Sequence, residues 1–171
     1  MRLLGAILAG GAARRFGSDK ALAHWQDKPL LEWVIQALGA QCASVVICGR
    51  AEPGLVYLPD HPEAGLGPLG GLNAALRYAK ANGFTHVLSA GVDAPDLPLD
   101  LGKTLAGDGA GVVGSQPVVG LWPSDLSDDL DAYLAEGGRA LYGYIERIGA
   151  RRIELPSPLM NVNRPADLGD A

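Results

Sequence analysis

Short apolar runs alternate along the chain with stretches in which apolar residues recur every three or four positions. That alternation predicts βαβ units on a mostly parallel sheet with helices on both faces. Leu3 to Leu8 reads as the first strand. Within Pro29–Gly39 the apolar positions are 30, 31, 34, 35 and 38, with Pro in the first turn and Gly at the stop, the pattern of an amphipathic helix. Ser44 to Cys48 is a buried strand and Leu55 to Leu58 a shorter one. Leu69, Leu72, Ala75, Leu76 and Ala79 share one face of a helix over 69–81, which Asn82-Gly83 ends. His86 to Ala90 is apolar enough to be a central strand, and the prolines that follow delay the next helix, a short one near 99–106. Gly111–Gly114 and Pro117–Trp122 read as strands, the second an edge or antiparallel one because of Pro117. Ser124 is placed to cap a helix through Glu136, Ala140–Ile148 forms another stopped by Gly149, and a last strand lies near Arg152 to Leu155.

At 171 residues the chain fits one domain, and 48% hydrophobic content supports a full core. Its apolar runs are far shorter than the roughly 20 residues a membrane helix needs, so no membrane association is expected. The opening MRLLGAILAGG resembles a signal peptide only superficially, because a cationic loop follows it where a small-residue cleavage site would be. Cys42 and Cys48 have neither CxxC nor zinc spacing, which suits a reduced, cytoplasmic protein with core thiols. A net charge of −5 argues against a nucleic-acid binder. Positive charge is instead concentrated at Arg14, Arg15 and Lys20.

Those cations belong to LAGGAARRFGSDK, residues 8–20, directly after the first strand. Glycines let backbone N–H groups approach phosphate oxygens, and Arg and Lys supply compensating charge, so a polyanion is the expected ligand. The Walker pattern is absent, since Lys20 follows Asp19 rather than Gly. Gly65-Leu66-Gly67-Pro68-Leu69-Gly70 does match GxGxxG, but residues 59–64 separate it from the preceding strand and Pro68 stiffens it, so a dinucleotide-binding loop is not the reading taken. In an open parallel sheet, ligands bind beyond the carboxyl ends of the strands. Loops 9–20, 59–71 and 89–97 all leave such ends. Together they offer donors for phosphate, close backbone approach with Asp60, and a carboxylate at Asp93 for Mg²⁺. Asp96, in a proline-bounded turn, is expected to bond its own backbone instead.

LAGGAARRFGSDK resembles the LAGGxSxRMGxDK signature of the molybdenum cofactor guanylyltransferase family, within the wider nucleoside triphosphate transferases. GPLGGLNAAL is similar to that family's second signature, VDAPDLP to its metal-binding loop, and NVNRPADL to its C-terminal NxNxPxDL. The four occur in order over nearly the whole chain, with Ala13 and Phe16 departing from a frequent Ser and Met. The resemblance implies a Rossmann-like three-layer α/β/α sandwich of the nucleotide-diphospho-sugar transferase type, with 1–171 a single nucleotidyltransferase domain. It implies transfer of GMP from GTP to the phosphate of molybdopterin or molybdenum-molybdopterin, with Mg²⁺ as cofactor. Lys20, Arg15 and Asp93 would be catalytic. Leu8, Ala9, Gly10, Gly11, Lys20, Asp60, Gly67, Pro68, Leu69 and Asp93 would bind nucleotide, Asp93 would hold the metal, and Asn161 and Asn163 would bind the acceptor, complete the metal environment or simply turn the chain ahead of Pro165. Asp19 would orient Lys20 or cap its turn, and Trp122 is expected to be a packing residue, although it lies where the family approaches the pterin. A monomer in transient contact with other cofactor-biosynthesis or target proteins is expected. Two alternatives stay open: a related transferase using CTP or another phosphate acceptor, and a GTP-binding protein without turnover.

Overall fold

Leu3–Leu8 forms β1, in which alternate side chains enter two separate cores: Leu3 and Ile7 on one face, Leu4 and Ala6 on the other. The computed structural model describes residues 1–10 and 19–169. After a turn of 3₁₀ helix at Lys20–Leu22 come the short strands β2 (His24–Trp25) and β3 (Lys28–Pro29), α1 (Leu30–Gly39), β4 (Ser44–Cys48) and β5 (Val56–Leu58). Then follow α2 (Pro68–Ala81), β6 (His86–Ala90), α3 (Leu101–Leu105), β7 (Gly111–Val113) and β8 (Gln116–Pro123). The chain continues through α4 (Ser127–Ala135), α5 (Leu141–Ile148) and β9 (Arg151–Ile153) to a turn of 3₁₀ helix at Pro165–Leu168.

The main sheet has seven strands in the order β5-β4-β1-β6-β8-β7-β9. β1 runs parallel to both β4 and β6, β4 to β5, and β7 to β9, while β8 is antiparallel to its neighbours β6 and β7. All the strands except β8 therefore end at one edge, and β8 begins there. One face is covered by α1 and α3, through Leu31, Val34, Leu38, Leu101 and Leu105. The other is covered by α2, α4 and α5, through Leu69, Leu72, Leu76, Leu130, Leu134, Tyr144 and Ile145. This is the mostly parallel three-layer fold expected. No helix among the described residues is long and apolar enough to cross a membrane.

Among its elements the structure departs from the expectations in three places. β2 and β3 pair as a small antiparallel hairpin, missed because two-residue strands carry no periodicity and its turn, Gln26-Asp27, takes positive φ without a glycine. Ser124 does not cap α4, because a 3₁₀ turn at Ser124–Leu126 comes first. β8 is antiparallel as expected but interior, and Pro117 is tolerated beside a register shift in the β7 ladder, where pairing is already interrupted. Trp122 pairs with Val87 near the amino end of β6, fully buried, and donates its indole N–H to Ser89 Oγ at 2.9 Å. It packs in the core as expected, remote from the carboxyl edge of the sheet.

Candidate functional site

The carboxyl edge is built first from the exits of β1 and β4. Ala9 N–H donates to the Cys48 carbonyl at 2.9 Å, extending the ladder past the strand end. Gly49 follows at φ +90°, where a Cβ would lie 2.3 Å from Gly10 Cα, so only glycine lets the two loops touch. Arg50, next in sequence, donates from Nη1 to both oxygens of Asp19 at 2.8 Å. Asp19 Oδ1 also accepts from Ala21 N–H at 3.2 Å and caps the turn that carries Lys20. From that turn Lys20 Nζ reaches Asp93 Oδ1 at 2.8 Å, the two side chains 16% and 35% exposed. Asp93 thus faces the first loop from the end of β6. Gly11, Arg14 and Arg15 lie outside the described residues.

A second wall comes from the start of α2. A Cβ on Gly71 would meet Cys48 Cβ at 3.1 Å and Leu8 Cδ2 at 3.2 Å, so the helix begins over the ends of β4 and β1. Gly67 (φ +65°) turns the chain into the helix, Pro68 is its first residue, and Leu69 is fully buried. Leu69 is thereby a core residue that anchors the start of the helix. Asp60 lies against Gly70, whose missing Cβ would be 2.8 Å from Asp60 Oδ2. Burial pushes the Asp60 carboxyl above the usual carboxylate range. The loop that carries it is pinned by His61 N–H to the Gly70 carbonyl (3.1 Å) and by the buried Asn73, whose amide donates to the His61 carbonyl (3.3 Å) and to Asp131 Oδ1 (2.7 Å).

The third wall is the C-terminal loop. Val162 N–H donates to the Asp93 carbonyl at 2.9 Å, and Asn163 Nδ2 to Asn161 Oδ1 at 3.2 Å, which brings both asparagines beside Asp93. Asp167 Oδ2 accepts from the Asn163 and Arg164 N–H groups at 2.9 and 3.0 Å, and these bonds hold its carboxyl below the usual range. Asp96 does not bond its own turn: both its oxygens accept from Met160 N–H, at 3.0 and 3.2 Å. A cavity of about 400 Å³ opens beyond this loop, lined by Ser115, Arg152, Glu154, Leu155 and Leu159 among others.

Gly10, Lys20, Asp60, Gly70, Asp93, Asn161 and Asn163 are thus gathered at one edge. Sequence reasoning missed Gly49 and Arg50. Both follow a parallel strand, so the rule that singled out the other loops applies equally to the end of β4. Among the described residues no three His, Cys, Asp or Glu side chains converge as a metal cage. A single hard carboxylate at Asp93 nonetheless fits Mg²⁺, which commonly takes one or two protein carboxylates and completes its shell with phosphate oxygens and water.

Residues 5–148 match the MobA-like NTP transferase domain. The chain is 40% identical over 188 aligned residues to a molybdenum cofactor guanylyltransferase of Cereibacter sphaeroides, covering 100% of this chain and 96% of that one. The chain belongs to the molybdenum cofactor guanylyltransferase family. It is a nucleotidyltransferase of the MobA-like class, and a second member, from Rhizobium leguminosarum bv. trifolii, is 33% identical over 99% of this chain and 91% of its own. Among solved structures, molybdopterin-guanine dinucleotide biosynthesis protein A from Archaeoglobus fulgidus superposes with a TM-score of 0.77 at 23% identity, covering 96% of this chain and 94% of that one. The 2-C-methyl-D-erythritol 4-phosphate cytidylyltransferase of Thermus thermophilus gives 0.70 at 18% identity, with 95% and 94% covered. At those identities the likeness is one of fold.

Proposed function

We propose that this protein transfers GMP from GTP to the terminal phosphate of molybdopterin, with or without molybdenum. The observation that carries the reading is the Lys20–Asp93 pair at the carboxyl edge, where the loops of β1 and β6 meet beside the Asn161 loop. An acceptor phosphate oxygen attacks the α-phosphorus of GTP, the bond from that phosphorus to the β-phosphate oxygen breaks, and pyrophosphate leaves with the electron pair. No protein nucleophile is needed. Catalysis then consists of positioning and charge neutralisation.

The main chain of Leu8, Ala9, Gly10 and Gly11 and the start of α2 at Gly67, Pro68 and Leu69 take up the nucleotide. Asp60, an acceptor-only group when ionised, complements the N–H-rich edge of guanine. Lys20 and Arg15 offset charge that builds on the departing pyrophosphate. Asp93 holds Mg²⁺, which when bound supplies charge neutralisation to the triphosphate. Asn161 and Asn163 orient the acceptor, whose ring system has room in the neighbouring 400 Å³ cavity. A cytoplasmic setting accords with Cys42 and Cys48, neither of which is disulfide-bonded.

The test is a product assay of purified protein and Mg²⁺ with each of the four ribonucleoside triphosphates and molybdopterin, read by mass spectrometry. Guanine dinucleotide and pyrophosphate from GTP are expected. A cytosine dinucleotide would identify a related transferase, and GTP binding without pyrophosphate release would identify a protein that binds but does not turn over.

A further inference from the structure

The loop over 156–164 contains no regular secondary structure, yet it carries the two asparagines assigned above to the acceptor. Hydrogen bonds at three of its main-chain atoms hold it. The N–H of Met160 is gripped by both carboxylate oxygens of Asp96, at 3.0 and 3.2 Å. The carbonyl of the same residue accepts from Gln116 Nε2 at 2.8 Å. Two residues on, Val162 N–H donates to the main-chain carbonyl of Asp93 at 2.9 Å, with the Val162 side chain fully buried against Leu30. Asn161 is the exposed residue between these anchors.

We infer that Asp96 and Gln116 are positioning residues for the acceptor: together they clamp Met160 and thereby set Asn161 at a fixed place relative to Asp93. Asp96 shares a loop with Asp93, and Gln116 is the first residue of β8, which is antiparallel and so begins at the edge where β6 ends. The clamp therefore ties the acceptor wall to the same rigid edge that presents the Asp93 carboxylate to Lys20. Both Asp96 oxygens are aimed at a peptide N–H, which is the work of a structural acceptor. Gln116 is almost wholly buried, so its amide would be costly to leave without a partner, and Met160 gives it one. The clamp acts on acceptor geometry: the nucleotide loops 9–10 and 59–71 have their own separate contacts, and in the third, 89–97, the Asp93 carboxylate is held by Lys20 and not by Asp96.

The inference rests on the transfer reaction proposed above, and two measurements separate the fate of the two. Initial rates with GTP and molybdopterin varied in turn are compared for the wild type, Asp96→Ala, Asp96→Asn and Gln116→Ala. Loss of a charged acceptor should raise the acceptor KM about tenfold in Asp96→Ala, with the GTP KM unchanged. Asp96→Asn keeps an oxygen for the Met160 N–H and should restore most of the loss. Hydrogen exchange in the substrate-free protein should show faster exchange at the amides of 160–162 in Asp96→Ala and Gln116→Ala than in the wild type. An unmoved acceptor KM, a GTP KM that rises in step, Asp96→Asn as impaired as Asp96→Ala, or unchanged exchange would each overturn the clamp. If the wild type makes no dinucleotide, the transfer reading fails along with the acceptor role, while the exchange data still decide whether the clamp holds the loop.

Discussion

Lys20 and Asp93 neutralise each other in the substrate-free protein, across 73 residues of sequence and a gap of 2.8 Å. Partly exposed pairs of this kind contribute at most about 1 kcal/mol to stability, so the pair is of more use to a ligand than to the fold. Lys20→Ala should therefore slow transfer by roughly 10²–10³ while the melting temperature stays nearly constant. Near-normal turnover at saturating GTP would show Lys20 to be ordinary surface. Asp93→Asn removes the carboxylate charge but keeps the main-chain carbonyl that receives Val162 N–H, so the acceptor loop should remain in place. Mg²⁺-dependent turnover should fall by a similar roughly 10²–10³ in that variant. Comparing it with Asp96→Asn decides the metal assignment: Asp96→Asn should keep most of its activity, and the reverse ranking would move the metal to Asp96.

At the scale of elements, the start of α2 shows how a helix is shaped around a loop. Gly70 and Gly71 are in its first turn, the second against β1 and β4, the first against Asp60. Alanine is the better helix former by about 1 kcal/mol, so Gly70→Ala should not unfold the protein. Its Cβ, 2.8 Å from Asp60 Oδ2, must instead displace the carboxyl. The expected result is a GTP KM raised about tenfold, the loss of one charge-assisted contact, at an unchanged or slightly higher melting temperature. A lower melting temperature with normal GTP binding would mean that the glycine serves helix packing and not the Asp60 pocket.

For the whole molecule, the half-buried Cys42 thiol and the buried Cys48 thiol set a limit at alkaline pH. Burial pushes Cys42 from 9.0 up to about 12, and burial followed by the nearby Asp60 charge does the same for Cys48. Between those values the unfolded chain releases thiol protons that the folded protein keeps, so the folded state binds more protons and stability falls as pH rises. Below about 9 this contribution is fully present. The drop in melting temperature from pH 8 to pH 10.5 should be smaller in a Cys42→Ala, Cys48→Ala double variant than in the wild type. An equal drop in both would show that the thiols titrate normally.

Most of the layer order was legible in the residues because it follows from local periodicity. The apolar runs at 3–8, 44–48 and 86–90 and the helical stripe at 69–81 appear where their patterns require, since strand and helix spacing is a property of neighbouring residues. The glycines and charges of 8–20, the Asp60 loop and Asp93 were recognisable as candidate ligand groups for the same reason: each follows a parallel strand. What the sequence could not reveal is which distant residues meet. That Arg50 braces Asp19, that Asp96 grips Met160 rather than its own turn, and that Trp122 lies beside Val87 near the amino end of β6 all depend on strand order and on the reversal of β8. Those are outcomes of packing between elements far apart in the chain, and local pattern carries no record of them.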